Sequence, residues 1–187
     1  MTPSERRLAH RLVAAAAAAT FVVIVASAFI RHAQTAYPVA SDFARILHRL
    51  FATAALLVVV MVPFMLLRGD AAHRERRPAH VARAIVVALA LRGVATPGST
   101  SLAVMAGNLV GGFALLATLA VLAARLRDPS ASRDRLVTLA VAGAIASLAT
   151  GALAWVTPSL TLALLHNATA ALATAGLAAA YLGRPAG

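Results

Sequence analysis

The feature of this sequence that most constrains its fold is a set of long apolar stretches that lack charge. Five stretches of 18 residues or more are uncharged or nearly so, and the first runs from Leu12 to Ile30. A helix rises about 1.5 Å per residue, so roughly 20 apolar residues cross a hydrocarbon layer about 30 Å thick. The chain is therefore expected to cross a membrane several times as a helical bundle.

The composition argues against a soluble fold. Hydrophobic residues make up 61% of the 187 residues and charged residues only 12%, with a mean hydropathy of +0.84. An ordinary soluble domain has about 45–50% apolar and about 25% charged residues. With half the usual charge, this chain cannot cover a water-facing surface. Its length fits one integral membrane domain over residues 1–187, with no second domain.

We predict an all-α, polytopic membrane bundle of six transmembrane helices, over residues 12–30, 43–67, 81–95, 102–124, 136–156 and 160–182. Residues 68–80 are predicted to form a solvated loop because six of them are charged. A cleaved signal peptide is the alternative for the first span, since Ala26-Ser27-Ala28 resembles a cleavage site. Signal peptides have apolar regions of about 7–15 residues, which is shorter than this span, so a retained helix is favoured.

The charges predict an orientation. The chain has 17 arginines, no lysine and six acidic residues, which gives a net charge of +11. Thirteen arginines fall in the terminal segments and in residues 68–83 and 125–135, whereas four fall on the other side of the membrane: Arg31, Arg45, Arg49 and Arg92. Cytoplasmic segments carry the excess of basic residues. Both termini are therefore predicted to be cytoplasmic, and the membrane is predicted to be a bacterial plasma membrane. Contact with membrane lipid accounts for the excess of arginine, so no nucleic acid is predicted as a partner.

Several kinds of chemistry are excluded by what the chain lacks. There is no cysteine, which excludes disulfides, thiolate zinc sites, iron–sulfur clusters and covalent c-type haem attachment. The only glutamates, Glu5 and Glu75, lie in segments predicted to be cytoplasmic. This argues against a transporter that moves protons through intramembrane carboxylates.

Two of the six histidines lie inside apolar spans, namely His48 and His166. Ionisable groups in membrane helices are costly and face the bundle interior or a cavity, so a function is the default hypothesis. Both lie at a similar predicted depth on helices that descend from the outer side. Two imidazoles at one level on facing helices are typical axial ligands of a haem iron, so we predict that they jointly ligate one haem b. The alternative is that each hydrogen-bonds a neighbouring helix.

Two interpretations are open for the three arginines predicted near this level. Arg31, Arg49 and Arg92 are expected either to neutralise haem propionates or to anchor helix ends at the membrane interface. Asn108 is a poor iron ligand and is expected to hydrogen-bond between helices, and the GxxxG motif formed by Gly107 and Gly111 predicts close helix packing. Three other histidines lie beside clusters of arginines and are predicted to be solvated loop residues: His10, His73 and His80.

A faint internal repeat accompanies these residues. Gly93 precedes Asn108 by fifteen residues, and Gly151 precedes His166 by fifteen. Each pair spans a helix end, a turn that contains proline, and the start of the next helix. This indicates a two-helix unit used at least twice, with the first two helices as a more diverged copy.

Short motifs in four of the helices resemble the haem A synthase family. The first helix ends in Phe29-Ile30-Arg31-His32, and the second begins with Leu47-His48-Arg49. The run 107–112 is similar to a family helix that opens with small residues, and Leu165-His166-Asn167 is similar to the final ligand helix. The resemblance implies haem b bound through histidine pairs, with His48 and His166 at ligand positions and Arg49 completing the "HR" pair. Family members oxidise haem O to haem A for cytochrome oxidase assembly.

The sequence also departs from the family pattern. Arg45 replaces a glutamate three residues before the histidine, and Asn108 stands where one histidine is expected. The family has eight helices in two halves, whereas six are predicted here. One histidine pair serves one haem, whereas a synthase needs a cofactor haem and a substrate haem, so the resemblance leaves catalysis open.

Three classes of function remain. The first is a haem A synthase-like oxidoreductase or a degenerate relative that acts in cytochrome oxidase assembly. The second is a small b-type cytochrome that transfers electrons within the membrane. The third is a haem-free membrane assembly subunit. Assembly factors of cytochrome oxidase and further copies of the chain are open as partners.

Overall fold

The computed structural model describes residues 2–33, 36–68, 73–96, 101–127 and 133–182. These segments contain six helices and no strand, in the order α1 (Pro3–Ala33), α2 (Pro38–Arg68), α3 (His73–Ala95), α4 (Leu102–Leu126), α5 (Arg133–Val156) and α6 (Leu160–Leu182). The all-α fold and the six helices are as predicted. Five of them are long and apolar enough to cross a membrane, and the described apolar stretch of α5 is Ala140–Ala154.

Four helices begin earlier than the apolar pattern predicts, namely α1, α2, α3 and α5. Helix α1 begins at Pro3 because Thr2 and Glu5 form a reciprocal capping box. The Thr2 backbone N–H donates to Glu5 Oε2 (2.6 Å), and the Glu5 backbone N–H donates to Thr2 Oγ1 (3.2 Å). Helix α3 begins at His73, so the prediction of a solvated loop over residues 68–80 is wrong for residues 73–80.

The first four helices form a ring. Each contacts its neighbour in sequence, and α1 contacts α4 to close it. Helix α6 packs against both α1 and α4, whereas α5 contacts α6 alone among the described helices. Short connections join α1 to α2, α3 to α4 and α5 to α6 at one end, which we call the hairpin end. The opposite end, where α1 begins and α6 ends, is the terminal end.

Small and branched apolar residues fill the ring. Its core includes Val13, Val59, Val86 and Leu119 from the four helices, all at most 5% exposed. Gly111 lies against Leu89 of α3, where an added Cβ would come 2.7 Å from Leu89 Cδ2. The close approach predicted from the GxxxG motif is therefore confirmed.

A partly buried ion pair between Arg6 and Glu75 links α1 to α3 at the terminal end. Arg6 donates to Glu75 Oε1 (2.8 Å) and to the carbonyls of Arg125 (2.6 Å) and Leu126 (3.3 Å). These carbonyls lack helical partners at the end of α4, so Arg6 satisfies them. Glu75 is only 6% exposed. It was expected in a solvated segment, and the arginine explains why it is buried instead.

His10 belongs to the same end of the ring. Its Nδ1 donates to the Ala123 carbonyl of α4 (3.0 Å), and the ring is half-buried. The prediction that His10 is a solvated loop residue is therefore wrong, because the N-terminal segment is helical and packs on α4. His80 is exposed, as predicted, but it lies within α3 rather than in a loop. The side chain of His73 lies outside the described residues.

Candidate functional site

His48 lies on the side of α2 that faces α1. Its Nδ1 is 3.0 Å from Oγ of Ser27 on α1. The ring is half-buried between the two helices. Ser27 thus fixes the orientation of the imidazole within the α1/α2 hairpin.

His166 lies on the side of α6 that faces α5. Its Nδ1 donates to the Ser147 carbonyl at 2.8 Å and lies 3.3 Å from Ser147 Oγ. A carbonyl oxygen only accepts hydrogen bonds, so Nδ1 carries the hydrogen and Nε2 of the neutral ring keeps a lone pair. The ring rests on Gly151, where an added Cβ would come 2.9 Å from both Cε1 and Nδ1. Only a glycine at this position leaves room for the imidazole.

The two hairpins therefore carry the same Ser–His pair. In each, the serine is on the first helix and the histidine on the second, 21 residues apart in one hairpin and 19 in the other. No described side chain hydrogen-bonds Nε2 of either histidine. Sequence reasoning missed both serines. A signal was available in the sequence. Ser27 and Ser147 are the sole serines of their apolar spans, and each lies on the helix that precedes an intramembrane histidine.

The internal repeat takes a different form from the one predicted. Gly151 does contact His166, but nothing lies within 4 Å of a Cβ added at Gly93. The Gly93–Asn108 pair therefore shares the spacing without the contact. The closer structural counterpart of the α5/α6 hairpin is α1/α2, which the sequence pattern indicated as the diverged copy.

Both histidines lie at a similar level in the bundle. Ile24, Leu116 and Ala171 pack together and align α1, α4 and α6. Ser27 lies three residues beyond Ile24 toward the hairpin end, and His166 lies five residues beyond Ala171 in the same direction. At about 1.5 Å per residue, the levels of Ser27, which contacts His48, and of His166 differ by about 3 Å along the bundle axis.

The structure does not bring the two rings together. His48 faces α1 and His166 faces α5. Helix α1 contacts both α2 and α6, and these two make no contact with each other in the described part of the chain. The expectation of two facing helices is therefore not met, and the histidines form two separate positions.

The three candidate arginines have different surroundings. Arg92 donates from Nη2 to the Ala103 carbonyl (2.7 Å), and its guanidinium lies on Gly107, so it links α3 to α4. Arg49 is exposed and Arg31 is half-buried. Neither of these two forms a hydrogen bond or ion pair with a described residue. Of the three, only Arg92 has a hydrogen-bond partner among the described residues.

Asn108 does not join helices. Its side chain is exposed and makes no hydrogen bond within the described segments, so the expected bond between helices is absent. Its neighbours Gly107 and Gly111 make the contact with α3 instead. Likewise, the described residues contain no group of three histidine, aspartate or glutamate side chains suited to a metal ion.

Comparison of the chain with protein-family models, with curated proteins and with solved structures found no match to any of them. The resemblance to haem A synthases thus rests on the short sequence motifs.

Proposed function

We propose that this chain is a haem-binding protein of the bacterial plasma membrane that resembles haem A synthases and acts in haem A biosynthesis or cytochrome oxidase assembly. The observation that supports it is the repeated Ser–His pair. Histidines that ligate iron commonly use one ring nitrogen for the metal and hold the other in a hydrogen bond that fixes the ring. Ser27 and Ser147 provide that second hydrogen bond on two hairpins.

Each histidine fits the role of a single axial ligand, but the pair does not fit one shared haem. The bonds at Nδ1 leave Nε2 as the nitrogen for iron at both positions. Because α1 lies between α2 and α6, one porphyrin cannot contact both rings in this arrangement. Each hairpin is therefore proposed to hold its own haem b, which would supply one-electron chemistry at its iron. Arg49, next to His48 and without a protein partner, is the candidate to face a haem carboxylate.

A haem-free assembly subunit is the second candidate. The observation that favours it is that both histidines already have hydrogen-bond partners on the adjacent helix, which satisfies part of each imidazole without any cofactor. Hydrogen bonds between membrane helices contribute on average about 0.6 kcal/mol, so structural histidines of this kind are stable without iron.

A visible absorption spectrum of the purified protein, expressed with ample haem, distinguishes the candidates. We expect a Soret band in the wild type and a loss of about half the bound haem in either His48→Ala or His166→Ala, measured as haem per chain. His80→Ala is the matched control, since this exposed histidine lies on α3 away from both pairs. Loss of all haem in each single variant would instead indicate one shared haem.

A wild-type protein without a Soret band would refute haem binding and leave the assembly subunit as the function. Haem A content in cells that lack the gene separates the remaining classes. A synthase or assembly role requires haem A to fall, whereas a separate electron-transfer cytochrome leaves haem A unchanged.

A further inference from the structure

We infer that the hairpin end of α1 and α2 binds the phosphate of an anionic phospholipid headgroup through Arg31 and Ser41. This site is independent of the proposed haem positions and uses neither histidine.

Arg31 is a half-buried cation without a protein partner. It forms no hydrogen bond or ion pair in the described part of the chain, although its neighbours Ala28 and Ala33 are fully buried. Removing a guanidinium from water without a compensating partner is costly. Arg31 therefore needs an anion from outside the protein.

Ser41 is a buried hydroxyl without a partner. The residue is 1% exposed, and its Oγ makes no hydrogen bond with any described residue. Other hydroxyls in the bundle bond back to a carbonyl one turn earlier on their own helix, as Thr118, Thr169 and Thr174 do. Ser41 departs from this pattern, so its hydrogen is left for a ligand.

The two groups lie on facing sides of the hairpin and at nearly the same level. The Ser27–His48 contact aligns α1 with α2. Arg31 is one turn beyond Ser27, and Ser41 is two turns beyond His48 on the same side of α2, both toward the hairpin end. Along the helix axes they differ by three residues, or about 5 Å, which an arginine side chain can cover.

The charges at this end select an anion. Of the three acidic side chains that the structure describes, only Asp42 lies near the hairpin end, and its carboxylate is 2.7 Å from Nη1 of Arg45. No carboxylate among the described residues is thus left for Arg31. The start of α2 adds the partial positive charge of a helix N-terminus at Ser41.

The level of the site indicates a lipid as the source of the anion. Arg31 directly follows the uncharged stretch 12–30, so it marks the boundary between hydrocarbon and headgroups. Phosphate oxygens accept hydrogen bonds from both a guanidinium and a hydroxyl. An anionic phospholipid provides that phosphate at this boundary together with a net negative charge.

Native mass spectrometry of the full chain in detergent, with added phosphatidylglycerol or phosphatidylcholine, tests the inference. We expect the wild type to retain phosphatidylglycerol at least fivefold more than phosphatidylcholine. Arg31→Gln and Ser41→Ala should each reduce this retention at least fivefold, and Arg31→Lys should restore part of it. Arg11→Gln is the matched control, because it removes an exposed arginine of the same helix at the terminal end, and retention should not change.

Equal retention of phosphatidylglycerol by the wild type and Ser41→Ala would overturn the site, and this small substitution keeps the test valid if Arg31→Gln does not fold. Displacement of the lipid by millimolar inorganic phosphate would overturn the lipid as the source. His166→Ala, on the other hairpin, should retain the lipid at the wild-type level, so failure of the haem proposal and failure of this one are distinguishable.

Discussion

The α1/α2 and α5/α6 hairpins hold the same Ser–His pair in different surroundings. One turn beyond the serine, toward the hairpin end, the first hairpin has Arg31 and the second has Gly151. The ring of His166 therefore lies directly on helix backbone, whereas a charged residue takes the equivalent position in the first hairpin. In addition, α1 and α2 are enclosed in the four-helix ring, whereas α5 contacts only α6 among the described helices. The imidazole is thus held by a hydroxyl within the ring in one hairpin, and by a backbone carbonyl and a glycine outside the ring in the other.

The largest expected effect tests whether both hairpins turn on one side of the membrane. Alkaline phosphatase, which is active only outside the cytoplasm, should be active when fused after Tyr37 or after Thr157. It should be silent when fused after Arg127, because the thirteen-to-four distribution of arginines predicts that the terminal end is cytoplasmic. Activity after only one of the two hairpin turns would show that the hairpins are not equivalent.

The second prediction compares the packing of the ring with that of α5. Leu122→Ala should lower the free energy of unfolding by about 2–5 kcal/mol, since this side chain is fully buried and its loss leaves a cavity. Leu148→Ala on α5, where the residue is 75% exposed, should change it by about 0.5 kcal/mol or less. Loss of circular dichroism at 222 nm in denaturant measures both, and equal effects would contradict the difference in burial.

The third prediction addresses the glycine under His166. Gly151→Ala should destabilise the protein by about 1–3 kcal/mol, because the added Cβ overlaps the imidazole and forces the ring away from Ser147. Gly93→Ala is the control, because nothing lies within 4 Å of a Cβ added there. The higher helix propensity of alanine should then stabilise the protein by up to about 1 kcal/mol. Thermal unfolding in detergent compares the two, and a stable Gly151→Ala protein would refute the steric role.

The smallest expected effect distinguishes the two serines. Ser27→Ala should cost about 0.5–1.5 kcal/mol, since Nδ1 of His48 loses its hydroxyl partner at 3.0 Å. Ser147→Ala should cost less, because His166 keeps the Ser147 carbonyl at 2.8 Å and loses only the longer contact at 3.3 Å. The same unfolding measurement decides the order, and a larger cost for Ser147→Ala would reverse the comparison.

Much of the fold was predictable because apolar stretches of membrane length directly determine the number of helices. The helix starts were less predictable, since polar segments form helix only when specific contacts support them. Glu75 joins α3 because Arg6, distant in sequence, balances its charge. The Thr2–Glu5 capping box was visible in the sequence, but the hydrophobic pattern does not report it.

The candidate site was predictable only residue by residue. His48 and His166 stand out because imidazoles are rare in apolar spans. Their partners depend on how each helix is rotated, and faces rich in alanine give little indication of rotation. The order of helices around the bundle is likewise absent from hydropathy. For that reason the sequence led to one shared haem position, whereas the structure separates the two rings.

The single attachment of α5 has a consequence for biogenesis. Membrane helices emerge in chain order, so the ring of α1 to α4 can close before the last hairpin is synthesised. Helix α5 then enters the bilayer before its sole described contact, α6, exists. It must reside in lipid alone until α6 emerges. Pausing or truncation of translation after α5 would therefore leave a finished ring with one loosely held helix, which membrane proteases can recognise.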